Sequence, residues 1–152
     1  MYQTWLKLGL DKGITDIEIY AVKNRSLKLS VYQNKLDQHV QSEVESVTIR
    51  GIYQNKLSTV RFENLSLENV NHMLNQLIEN AKALTVVEPA IIFEGSTSYP
   101  VVEEDKFDFS AVPVIDKINL LKKLEQGLLK NPAVSQVQTT QYQEIASVTT
   151  LV

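Results

Sequence analysis

Chemistry in this 152-residue sequence could begin at one row of alternating polar side chains, since the chain has two histidines and no cysteine. Asp37, His39, Gln41 and Glu43 share one parity, so in an extended strand all four project from the same side. Two carboxylates and an imidazole placed in that way could hold a hard cation or pass a proton. The solvated face of an antiparallel strand carries the same pattern, and that plainer reading is favoured. His72 stands beside Asn69, Asn75 and Gln76, and no His-Glu-x-x-His pair exists to make a helical zinc site. The absence of cysteine removes disulfides, thiolate zinc sites and a thiol nucleophile. The five glycines form neither a phosphate loop nor a dinucleotide fingerprint, and no G-x-S-x-G elbow occurs. No catalytic or metal-ligating residue is therefore assigned.

The elements that would position these residues follow from periodicity. Tyr2 to Lys12 reads as a short helix closed by Gly13, a residue suited to a left-handed end. Alternation from Asp16 to Val22 and again from Leu27 to Tyr32 predicts two strands. Lys23, Arg25 and Lys28 then surround a turn between them. Val31-Tyr32-Gln33-Asn34-Lys35-Leu36 recurs as Ile52-Tyr53-Gln54-Asn55-Lys56-Leu57, and each copy falls where a hairpin needs its tip, with Asn tolerating positive φ. Leu36, Val40 and Val44 hold one parity while Val47 and Ile49 hold the other. A bulge near Ser42 to Ser46 would repair the mismatch. Gly51 reads as a bulge inside a strand, and Val60 and Phe62 mark a further strand.

Ser66 can cap a helix in which Val70, Met73, Leu74, Leu77, Ile78, Ala81 and Leu84 keep the helical rhythm. Thr85 to Phe109 reads as an extended connector punctuated by Pro89, Gly95, Pro100 and Glu103-Glu104-Asp105. A second long helix should begin near Pro113 on a stripe of Val114, Ile118, Leu121, Leu124 and Leu128, and stop at Asn131-Pro132. Val134 to Tyr142 and Ile145 to Val152 read as two closing strands. The expected class is α+β, a mainly antiparallel sheet built from hairpins with helices packed on one face. One domain over residues 1–152 is expected, as a fragment of a longer chain.

Fifteen Lys and Arg against eighteen Asp and Glu give a net charge of −3, which argues against a dedicated nucleic-acid surface. No basic region leads into an apolar core at the N-terminus, and no stretch approaches the roughly 18 apolar residues of a membrane span. A cytoplasmic protein is expected, with neither nucleic acid nor membrane as partner.

The order of Asp16-Ile17-Glu18-Ile19-Tyr20, the hairpin through Leu36, Val47 to Gly51, the second hairpin and Ser66-Leu67-Glu68-Asn69-Val70, ending in Ala81-Lys82-Ala83, resembles the N-terminal domain of the TldD/PmbA family. Asp116-Lys117-Ile118 and Val137 to Tyr142 resemble it too. Ser58 and Thr59 depart from the glycine that many members keep after the second turn. The family, also called modulators of DNA gyrase, consists of cytoplasmic zinc-dependent peptidases. Its metal ligands come from a His-Glu-x-x-x-His motif and a cysteine downstream of this segment, so the resemblance transfers no catalytic residue. It implies no cofactor here, with zinc in the downstream domain of a TldD-like parent. Some PmbA-branch members lack the metal and pair with a TldD partner, and overall spacing leans toward that branch. The implied partners are the C-terminal domain, a homo- or heterodimer mate of TldD/PmbA type and a peptide substrate, with this domain shaping the substrate channel. The alternative is a free-standing α+β protein-interaction module.

Overall fold

The structure is a computed structural model and describes residues 1–85, 90–101 and 108–152. The elements are α1 (Tyr2–Asp11), β1 (Asp16–Tyr32), β2 (Lys35–Tyr53), β3 (Lys56–Phe62), α2 (Leu67–Ala83), α3 (Val114–Leu129) and β4 (Thr140–Leu151), with a 3-10 turn at Phe109–Ala111. The four strands form one antiparallel sheet in the order β3-β2-β1-β4. The α+β class read from periodicity is the observed one.

Both repeated hexapeptides are hairpin tips. Gln33 and Asn34 have φ of +49° and +61°, and Gln54 and Asn55 repeat this at +51° and +63°. Two consecutive positive φ values describe the tight turn whose twist suits flanking strands. The central pair is Gln-Asn, and Lys35 and Lys56 open the following strands.

The chain divides into two compact units. The first comprises Met1–Lys23, Val44–Tyr99 and Ser147–Val152. Its core joins Trp5, Ile14, Ile19, Val47, Ile49, Val60, Phe62, Val70, Leu74 and Leu77. Helix α2 buries Val70, Leu74, Leu77, Ile78 and Ala81, and Ser66 Oγ accepts the Asn69 N–H at its start. Each fully buried aliphatic side chain contributes about 1.5–3 kcal/mol before chain entropy is counted. At the other end Lys56 Nζ donates to the Leu84 carbonyl at 2.6 Å, so a cation meets the negative end of the helix. Gly13 ends α1 at φ +87°, with Ile14 N–H reaching the Gly9 carbonyl and Gly13 N–H that of Leu10. Gly51 is not a bulge. It pairs regularly with Ser58, and its lack of a side chain lets α2 approach, because a Cβ there would lie 2.9 Å from Ile14 Cγ2 and 3.1 Å from Leu77 Cδ2.

The second unit comprises Asn24–Glu43 and Pro100–Ala146. Its core is small: Leu27, Leu29, Val31 and Leu121, flanked by Val114, Ile118 and Tyr142. Three sequence expectations change here. Asn24-Arg25-Ser26 is no turn, because it lacks glycine and proline and finds strand partners on β2, so β1 runs unbroken for 17 residues. The two closing strands are a single β4 beginning at Thr140, since Gln143-Glu144 stays paired instead of breaking the strand. The buried side of α3 is rotated: Lys117, Leu121 and Glu125 are buried while Leu124 and Leu128 are exposed. The Glu103-Glu104-Asp105 run and Pro89 lie outside the described residues.

The extra residue expected near Ser42 to Ser46 lies closer to the hairpin tip, where it does not repair the mismatch: Val44 stays exposed and Val47 buried on opposite faces of β2. Ser30 Oγ donates to Asp37, yet Ser26 meets Ser42 at 2.8 Å. Four residues along β1 thus match five along β2, so β2 holds one extra residue between Asp37 and Ser42.

Candidate functional site

The polar row does not assemble. Asp37 lies on the Ser30 side of the sheet, whereas Glu43 pairs with Arg25, whose side chain points the other way. The extra residue is the physical reason, since it inverts parity between them. His39 and Gln41 are exposed, as is His72 on α2. Among the described residues no group of three or more His, Cys, Asp or Glu is placed to hold a metal.

The polar groups that do converge belong to the second unit. A cleft of about 490 Å³ is lined by Arg25, Gln41, Glu43, Asp108, Ser110 and Glu144, among others. Strands β1, β2 and β4 supply its floor, and the 3-10 turn supplies a wall. A groove of similar size between α1 and α2, about 530 Å³, is flanked by Leu8 and Leu67 and gathers no such set of interacting charges.

Lys117 fixes this arrangement. Its side chain is 4% exposed, an unusual burial for a lysine. Nζ donates to Glu144 Oε2 at 2.6 Å and to the Phe109 carbonyl at 2.8 Å, and it stands 5.6 Å from the centre of the Tyr142 ring. Tyr142 Oη donates to the same Glu144 oxygen at 2.6 Å. One ammonium thereby ties α3 to β4 and to the turn at Phe109. Burial would raise the Glu144 carboxyl, but the hydrogen bonds from Lys117 and Tyr142 outweigh it and hold it below the ordinary carboxylate range. The Tyr142 phenol is pushed up to about 12, first by its bond to Glu144 and then by burial. Asp108 is held low by Ser110, whose Oγ and N–H both donate to Oδ1, with Lys117 and Arg25 adding to the effect.

The polar groups of this set are held by one another. Ser110 Oγ donates to a carboxylate held low, which is a poor base, and Lys117 Nζ donates to two fixed acceptors. The sequence signal for Lys117 was present in its spacing: Val114, Lys117, Ile118, Leu121 and Glu125 form one helical arc. Glu144 likewise shares parity with Thr140 and Tyr142. At the far end of the hairpin, the Asn34 N–H donates to the buried Glu125 carboxylate at 2.6 Å, and Gln126 donates to Asn34 Oδ1 at 3.1 Å. No helix among the described residues is long and apolar enough to cross a membrane.

Residues 17–81 match the family model described as PmbA/TldA metallopeptidase domain 1. Three solved structures share the fold. A protein described as a modulator of DNA gyrase from Thermotoga maritima is 22% identical with a TM-score of 0.74, over 99% of this chain and 34% of that one. TldE from Thermococcus kodakarensis is 15% identical with a TM-score of 0.72, over 99% and 36%. A further protein so described, from Bacteroides thetaiotaomicron, is 10% identical with a TM-score of 0.66, over 98% and 38%. The chain therefore spans about a third of the length of these structures. No curated protein matches it. Residues 17–81 are thus similar to the first, N-terminal domain of the TldD/PmbA family, and the chain shares the fold of these structures.

Proposed function

We propose that this chain is the non-catalytic N-terminal domain of a TldD/PmbA-type cytoplasmic metallopeptidase. In that role it contributes walls to a peptide channel and surface to a homo- or heterodimer, while a downstream domain supplies zinc. The observation carrying this reading is that the whole chain lies on one third of proteins built on the family fold, with residues 17–81 matching its first domain. The cleft around Lys117 suits the role, because its charges are arranged for contact with a polar chain and not for bond cleavage. Overall spacing leans toward the PmbA branch, and in a member of it that lacks the metal motif the zinc would come from a TldD-type partner.

The test compares this chain with the same gene read through a His-Glu-x-x-x-His motif. The isolated chain should carry less than about 0.1 zinc per molecule after dialysis and leave peptides uncut, because two separated histidines do not make a zinc site. An extended TldD-like parent should gain zinc-dependent cleavage, and a PmbA-like parent should gain it only beside a TldD-type mate. Stoichiometric zinc or peptide hydrolysis in the isolated chain would overturn the proposal.

A further inference from the structure

The segment after α2 contributes neither helix nor strand among residues 90–101, yet it carries the three most exposed large apolar side chains described in the first unit. Ile91, Phe93 and Tyr99 are 83%, 70% and 66% exposed, while Ile92 between the first two is buried. Two grooves share Asp16, Ile92, Phe93 and Glu94. The first, of about 360 Å³, adds Glu18 and Tyr99, and the second, of about 460 Å³, adds Ile52 and Ile91. All of these residues belong to the first unit. Single apolar side chains scattered on a surface are ordinary, but a group gathered around shared grooves and rimmed by charge marks a contact surface.

The segment is shaped before anything binds. Gly95 has a φ of +98°, and the Ser96 N–H donates to Tyr99 Oη at 2.8 Å, which anchors the ring at its hydroxyl end. A side chain at position 95 would put its Cβ 3.2 Å from that hydroxyl.

Charge decides the occupant. Among the described residues every charged side chain in the two linings is a carboxylate: Asp16, Glu18 and Glu94. Glu18 is answered by Arg50 at 3.2 Å, whereas Asp16 accepts the Thr15 hydroxyl and neither it nor Glu94 has an ion pair among the described residues. Anionic lipid and nucleic-acid phosphate are repelled by such a rim. Arginine suits it, because a guanidinium stacks its flat face on an aromatic ring while its N–H fork meets a carboxylate.

We propose that this surface docks a protein segment in which arginines stand beside apolar side chains. The arginines meet Glu94 and Asp16 and stack on Phe93 and Tyr99, and the neighbouring aliphatic side chains cover Ile91 and Ile52. Phe93 is the anchor, since it lines both grooves. The inference goes beyond the channel role proposed above and uses none of the residues around Lys117.

The experiment uses the full chain and a fluorescein-labelled octapeptide that alternates arginine and leucine, followed by fluorescence anisotropy. Saturable binding below about 100 µM is expected, and it should weaken as salt rises from about 0.05 to 0.5 M. Phe93 and Glu94 are exposed, so replacing them leaves the core intact. Phe93→Ser and Glu94→Lys should each weaken binding about tenfold. Glu79→Lys makes the same change of charge on the exposed face of α2 and should stay within about twofold of wild type. Lysine in place of arginine in the peptide should weaken binding about threefold or more, and glutamate should abolish it. Undiminished binding by Phe93→Ser, or an equal loss in Glu79→Lys and Glu94→Lys, would reduce the contact to diffuse charge and overturn the proposal. Failure to saturate by about 1 mM peptide would overturn it too. So would tighter binding to phosphatidylserine vesicles or duplex DNA than to the peptide. Sedimentation velocity in which Phe93→Ser removes a self-associated species would assign the surface to a second copy instead.

Discussion

Lys117 is the most informative side chain to perturb, because a buried ammonium is tolerated only while its partners remain. Lys117→Met keeps the packing volume but leaves Glu144 without its cation and the Phe109 carbonyl without its donor. Removing one partner of a buried pair costs roughly 3–5 kcal/mol. The Glu144 side chain keeps 15% exposure, which favours the lower end of that range, about 3 kcal/mol. For a chain of this length that loss lowers Tm by roughly 6–12 °C. Lys117→Met combined with Glu144→Gln removes both charges, and should lie within about 1 kcal/mol of wild type. The depressed Glu144 carboxyl adds a pH signature. Its stabilisation is present above the ordinary carboxylate range and is lost as pH falls through the lowered value, so the gap between wild type and Lys117→Met should close in acid. Urea unfolding followed by far-ultraviolet circular dichroism between pH 3 and pH 7 measures every arm. A single substitution costing under about 1 kcal/mol, or a double variant no better than the worse single, would refute the reasoning.

Three further outcomes follow from packing and backbone geometry. Tyr2 and Tyr142 should be the late-titrating phenols: both are raised to about 12, Tyr2 chiefly by burial and then by its bond to Glu45, and Tyr142 chiefly by its bond to Glu144. Their stabilisation is complete below about pH 10 and fades as pH rises toward 12, so Tyr142→Phe should flatten the alkaline limb of stability and remove one late step from the 295 nm absorbance titration. Asn55→Ala should cost about 1 kcal/mol in urea unfolding, since alanine resists the +63° φ at the hairpin tip. Gly51→Ala should cost about 1–3 kcal/mol by driving a methyl into Ile14 and Leu77, and a smaller Leu77 side chain should relieve part of that cost.

The hairpin tips, α1 with its Gly13 end, and α2 with its Ser66 cap were legible because each is decided within a few residues. The buried stripe of α2 was legible because five aliphatic positions repeat without a competing signal. The second unit was not. Its small core accepts Lys117 and Glu125 among the buried positions of α3, and aliphatic counting therefore pointed to Leu124 and Leu128 instead. Periodicity weighs residue type and cannot anticipate that Glu144, far along the chain, neutralises Lys117. The polar row failed for a related reason: one extra residue in β2 reverses parity between Asp37 and Glu43, and its position is set by pairing with Ser26 and Ser30. Arg25 and Glu144 were visible only as isolated charges, and β1, β2 and β4 together bring them to one cleft.

The central claim, that this domain shapes a peptide channel without performing the chemistry, is tested most directly by removing it. An active TldD-like parent should be assayed with and without residues 1–152, on a panel of peptides of graded length, at matched zinc occupancy. The account predicts that the deletion retains bound zinc while cleavage is abolished or its length preference is lost. Unimpaired cleavage of the same peptides, with the same length preference, would contradict it and favour an independent protein-interaction module.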